Sequence, residues 1–226
     1  MNRKDFLAAS ATAAAVVPGG THLVERRSDF DAETFAKAVG RPAAIRQVVE
    51  TVAFRPGTLL NVKNAFNGLQ FGFGYPAGSI AVALAGHGPS AVYAYTDAVW
   101  STYRIGEFFK LSDSAGAPVV SNVFLPRRAP IDLLADPDDA AGMYQDASIE
   151  MLQQRGLIVL TCHTAVEEQA RAIVSRGFAP ASMSAAAVAD DILTHLIPGA
   201  VVVPSMVATI AVLQATYRYT YLTLVL

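Results

Sequence analysis

A single cysteine, Cys162, stands beside His163 in the stretch "GLIVLTCHTAVEEQAR" (156–171). One thiol in 226 residues cannot close an internal disulfide, so it is a buried hydrophobe, a link between chains or a reactive group. The reactive form of a thiol is the thiolate, which helix N-termini and neighbouring cations favour. His163 supplies one imidazole. His87 supplies a second, in "AGHGPSA" (85–91), where Gly86 and Gly88 allow a tight turn or the close approach of a ligand to the backbone. A thiol and an imidazole brought from separate loops form a nucleophile–base pair; a plain strand-to-helix turn explains the same histidine without chemistry. The catalytic candidates are thus Cys162, His163 and His87. The three could also ligate a metal, but no metal-ligand spacing is present and the C-x-x-C-H haem pattern is absent, so neither metal nor cofactor is expected.

The elements that would position these groups can be read from the apolar runs. "SIAVALA" (79–85), "GLIVLTC" (156–162) and "GAVVVP" (199–204) are nearly continuous and of strand length, the pattern of strands buried on both faces of a parallel sheet. Each leads into helix-forming sequence, with helices expected over 165–175 and 206–214. "VVETVAF" (48–54) reads as a further strand and "YRYTYLTL" (217–224) as the last one, with the tyrosines at 217, 219 and 221 alternating onto one face. A helix is expected over 58–73. Between 30 and 48 the spacing suggests two helical pieces split by Gly40 and Pro42, the first capped by Asp31. Strands alternating with helices imply βαβ crossovers and a three-layer α/β, Rossmann-like fold with about five parallel strands.

In such a sheet, ligands bind beyond the carboxyl ends of the strands. Cys162 and His87 both fall there. Thr164 and Glu167 have capping-box spacing, which would start the helix just after Thr164 and leave the thiol two residues before the cap. Trp100 and Tyr103 in "AVWSTYRIGEFF" could wall a pocket, although aromatics at that spacing equally suit a core. Asn64 lies on a helix face that could reach the same sheet end or be simply solvated. Together with Gly86 and Gly88 these are the ligand-binding candidates. Residues 112–146, rich in Pro, Asp, Ser and Gly, form a long excursion between the second and third strands.

With these residues in hand, the chain resembles the DsrE/DsrF-like family of small sulfur-relay-type proteins. The resemblance is carried by "LLNVKNAFNGL" (59–69), "IAVALAGHGPSAVY" (80–93), "RGLIVLTCHTA" (155–165) and "LIPGAVVVPSMVATIAVLQATYRYTYL" (196–222). It implies a five-stranded parallel sheet between helices and assembly into trimers or hexamers. In the sulfur-transferring members a cysteine at the end of the strand matching "LIVLTC" accepts and passes on a persulfide, so Cys162 would serve a sulfur donor or acceptor protein. The alternative is a non-enzymatic module of the same fold that binds a small ligand or partner.

Composition sets the remaining bounds. A hydrophobic fraction of 53% is ample for one core. With 17 Lys+Arg against 19 Asp+Glu and no basic stripe, nucleic-acid binding is not expected. The N-terminus, "MNRKDFLAASATAAAVVPGG", has a charged start, a short apolar run and a Pro-Gly-Gly stop, the layout of an export signal over 1–20 that is too short to span a bilayer. Its "RKDFL" resembles a twin-arginine signal with Lys4 at the second position. The expected organisation is an export signal (1–20), a linker and N-terminal helices (21–47) and the DsrE-like domain (48–226). The mature protein is expected to be periplasmic or otherwise exported.

Overall fold

The computed structural model describes residues 30–52, 57–125 and 132–224. The expected export signal lies outside them, as does the end of the strand read over 48–54. Five strands form one all-parallel sheet: β1 (Ile45–Thr51), β2 (Ile80–Gly86), β3 (Leu157–Cys162), β4 (Val201–Val203) and β5 (Thr220–Leu224), in the order β4-β3-β2-β1-β5. Helices cover both faces, so the architecture is three-layer α/β and Rossmann-like, as the apolar runs imply. Every residue of β2 and β3 is buried, the expected state of central strands covered on both sides.

The two faces carry separate cores. On one, Val48, Ala83, Ala85, Leu160 and Cys162 pack under α1 (Ala32–Val39), α6 (His163–Ser175), α7 (Ala185–Thr194) and α8 (Met206–Ala215). On the other, Val49, Val82, Leu84 and Val159 pack under α2 (Gly57–Asn67) and α5 (Ile149–Arg155). Two short helices, α3 (Asp97–Thr102) and α4 (Ile105–Phe108), follow a 3₁₀ segment (Gly88–Ala94) after β2. Among the described residues no helix is long and apolar enough to cross a membrane.

Several expected boundaries move, each for a physical reason. Only the first N-terminal helical piece exists. Asp31 caps it as expected, its carboxylate accepting from Thr34 N at 2.9 Å. The second piece is the start of β1, because Ile45, Val48 and Val49 are β-branched, β2 pairs with all three and β5 pairs with Val48 and Val49. Phe35 and Val39 also enter the sheet core, so α1 belongs to the domain itself. The helix read over 58–73 is regular only to Asn67 and continues as a π-helical turn through the glycines at 68 and 72. The last strand begins at Thr220, so Tyr217 and Tyr219 precede it. Tyr219 is buried with its hydroxyl donating to Val39 O, whereas Tyr221 is exposed.

The excursion over 112–146 holds no helix or strand among its described residues and is tied down by side chains. Asn122, buried, donates through Nδ2 to Tyr93 O and Tyr95 O at 3.1 and 2.7 Å and accepts from Phe124 N. The loop thereby satisfies carbonyls of the segment that follows β2, a role that its Pro- and Asp-rich composition does not announce.

Candidate functional site

The carboxyl ends of β1, β2 and β3 lie side by side: Thr51 pairs with Gly86, and Gly86 with Thr161. His87 and Cys162 are therefore the next residues on adjacent strands, the juxtaposition that a shared site requires. Their side chains, however, have different surroundings. Cys162 is only 2% exposed and packs in the larger core with Tyr95, Ala165 and Met206. His87 is half-buried, and its Nδ1 lies 3.7 Å from Glu50 Oε1 on β1, an ion-pair separation too long for a hydrogen bond. Tyr221 on β5 donates a short hydrogen bond to the other carboxylate oxygen of Glu50, and this bond, more than burial, holds the Tyr221 hydroxyl above its ordinary pKa. A carboxylate, an imidazole and a phenol thus line up across β5, β1 and β2.

The local sequence explains the turn that carries His87. Its backbone N–H donates to Thr51 O and to Ser90 Oγ, and the Ser90 hydroxyl donates back toward Thr51 O. Gly88 adopts φ +57°, the left-handed region that suits glycine. A Cβ at Gly86 would meet Ser90 O at 3.1 Å and Leu160 O at 3.4 Å, so the glycine lets β2 end tightly against its own turn. The two glycines serve the backbone first.

The core that holds the thiol also holds a buried polar bridge. The Tyr95 hydroxyl, fully buried, donates to Gln169 Oε1 at 2.8 Å, and Gln169 Nε2 donates to Gly88 O. Burial, and secondarily the nearby Cys162, push the Tyr95 hydroxyl far above the ordinary phenol range, so it stays neutral and acts as a donor. Cys162 is itself the N-cap residue of α6, two residues closer to the helix than the capping-box spacing suggests, and makes no side-chain capping bond. Thr164, the expected cap, instead donates to Pro204 O at 2.9 Å beyond β4. The helix begins at His163, so Thr164 is already within its first turn. His163 is the first residue of α6 and is half-buried.

The remaining candidates scatter. Trp100 and Tyr103 are fully buried core residues instead of a pocket wall: Trp100 Nε1 donates to Val92 O at 3.3 Å and Tyr103 to Asp191 Oδ2 at 2.6 Å. Asn64 is exposed on α2. Among the described residues no group of three or more metal-ligating side chains assembles. Glu50, Ser90, Tyr95 and Gln169 were missed by sequence reasoning. Only Glu50 left a signal there, as the one charge near the end of an otherwise apolar strand. Compared with protein-family models, curated proteins and solved structures, the chain finds no match in any of the three.

Proposed function

We propose that this chain is an exported, DsrE-like binding protein. The open polar groups at the carboxyl edge of its sheet, His87, Glu50 and Tyr221, take a small polar ligand, and Cys162 serves the fold. The observation that carries this reading is the 2% exposure of Cys162, in the core that also holds the Tyr95–Gln169 bridge, while the half-buried histidine on the neighbouring strand end lies against a carboxylate. Thiol chemistry needs access as well as a thiolate. The export signal read at 1–20 supports an extracytoplasmic role. The exposed apolar side chains Val207 and Val212 on α8 and Tyr221 and Leu222 on β5 support self-association.

A second reading keeps Cys162 as a persulfide carrier, because it ends β3 and opens a thirteen-residue helix. There the thiolate sulfur would bond a sulfane sulfur of a polysulfide while the adjoining S–S bond breaks and the shortened polysulfide leaves with the electron pair. His87 or His163 would steady the thiolate or move its proton. One pair of measurements separates the readings: the rate at which an aromatic disulfide reagent labels the native and the guanidinium-unfolded chain, and the intact mass after polysulfide treatment. The binding reading expects native labelling at least about 10³-fold slower than unfolded, since access to the core requires an opening that costs several kcal/mol. Fast native labelling, with one added sulfur on the wild type and none on Cys162→Ala, would establish the carrier instead.

A further inference from the structure

At the opposite, amino-terminal edge of the sheet lies a cavity of about 160 Å³, lined in part by Phe66, Gln70, Ile80, Leu133, Tyr144 and Arg155. Arg155 ends α5 and is only 6% exposed. Its guanidinium sits over two rings, 5.2 Å from the centroid of Phe66 and 5.1 Å from that of Tyr144. Both distances are within cation–π range, and neither ring face supplies a lone-pair acceptor to the N–H groups. Nη1 and Nη2 are both buried and have no hydrogen-bond partner. Burial lowers the Arg155 pKa to about 10, so the group is still a cation at neutral pH. A buried charge without an acceptor is among the costliest features a fold can retain, and a bound anion is the simplest way to relieve it.

The surroundings are built to hold this cation in place. Gly156, with φ +114°, ends α5 directly after Arg155; a Cβ there would fall 2.5 Å from Arg41 Nη2 and 2.8 Å from Ile80 O. Arg41 Nη2 donates to both Ile80 O and Gly156 O, at 2.8 and 2.7 Å, and so fastens the start of β2 to the residue that follows Arg155. The nearest other buried cation on this face, Lys63, is already committed to Gln145 Oε1 at 3.0 Å. The Tyr144 hydroxyl is donated to Leu133 O.

We infer that this cavity is a binding site for a small organic monocarboxylate, whose two oxygens meet the fork of Arg155 and whose short carbon body lies against Ile80 and Leu133. A guanidinium edge matches a carboxylate in planarity and spacing. Among the described residues the cavity lining offers one cation, which neutralises a single negative charge but leaves a phosphate dianion under-compensated. The largely carbon lining favours an apolar body, and the volume is well below that of a drug-sized pocket. The site is at the far end of the sheet from His87 and stands whether or not the carboxyl-edge reading holds.

The test is isothermal titration of the whole protein with sodium benzoate, its neutral isostere benzamide and inorganic phosphate. The wild type is expected to bind benzoate one to one, with benzamide and phosphate each at least about tenfold weaker, the scale of a lost charge-assisted pair. Arg155→Met should weaken benzoate by at least the same factor. Ala77→Phe, on the exposed lip of the cavity, should do so by occupying the space without touching the charge. Circular dichroism checks the fold of both variants, and if Arg155→Met does not fold, the benzamide and Ala77→Phe arms decide. Absence of saturable benzoate binding, undiminished binding by either folded variant, or phosphate binding as tightly as benzoate would overturn the assignment.

Discussion

The bridge in the core that holds the thiol makes the sharpest prediction about stability. Gln169 spans two acceptor and donor sites at once: its Oε1 accepts from the fully buried Tyr95 hydroxyl, and its Nε2 donates to Gly88 O in the turn that carries His87. Gln169→Leu keeps the apolar bulk and removes both bonds. The Tyr95 hydroxyl is then stranded without water, at about 1–3 kcal/mol, and the lost bond to the half-buried Gly88 carbonyl adds about 1 kcal/mol. The expected cost is therefore about 2–4 kcal/mol. Tyr95→Phe leaves Gln169 Oε1 unmet in a residue that is itself buried, for about 1–2 kcal/mol. In the double variant both stranded groups are gone and only the lost Gly88 bond remains, so its cost should fall short of the sum of the singles by about 2 kcal/mol or more. Urea unfolding followed by far-ultraviolet circular dichroism measures all four proteins. Additivity within about 0.5 kcal/mol would refute the bridge as a coupled unit.

Two further perturbations test the packing around the site. Gly106→Ala on α4 would bring a Cβ to 2.0 Å from Val119 O, a backbone atom that cannot step aside, so a loss of about 2 kcal/mol or more is expected, while Gly72→Ala, with nothing within 4 Å, serves as the control; equal urea midpoints for the two would contradict the close approach of the excursion to α4. The Tyr103 hydroxyl is held above its ordinary pKa by burial first and by Asp191 second. A raised value means that its contribution is complete below the unfolded pKa of about 10 and is lost as pH rises through the folded one. Tyr103→Phe should therefore shallow the alkaline fall in stability above about pH 10, and an unchanged alkaline limb in a urea-midpoint profile would count against the Tyr103–Asp191 bond.

Much of the architecture was legible because burial on both faces leaves a mark that needs no context. β2 and β3 are central strands, and their runs of uninterrupted apolar residues could be nothing shorter-lived than sheet core. The boundaries that moved are those where tertiary pairing outweighs local preference. Ile45 joins a strand because Ile80 of β2 is there to pair with it, and Thr164 is no cap because the helix already begins at His163. The site was legible only in part. Strand ends could be located from the runs, which put His87 and Cys162 at the same end of the sheet, but the strand order that makes them neighbours came from the structure, and which way each side chain turns depends on neighbours more than thirty residues away in sequence. Glu50 Oε1 lies 3.7 Å from the imidazole, and Gln169 and Tyr95, seventy-four residues apart, meet in the core that holds the sulfur.

That last contact bears on how a strand end becomes a reactive site at all. The carboxyl edge of a parallel sheet gathers loops and helix N-termini in every protein of this architecture, which makes it a place where chemistry can be added. Whether a thiol there meets solvent is decided by the side chains that cap it. Here Tyr95 and Gln169 satisfy each other and Gly88 in the core that holds Cys162, and nothing in that arrangement is left wanting a ligand. Arg155, at the other edge, is the reverse case: a charge stacked on two rings with its terminal nitrogens unanswered. Polar groups that the fold fully answers stabilise it, whereas those it buries and leaves unanswered mark where a partner is missing. On that criterion the proposed roles divide: the lone cysteine is assigned to the fold and the arginine at the opposite edge to a ligand.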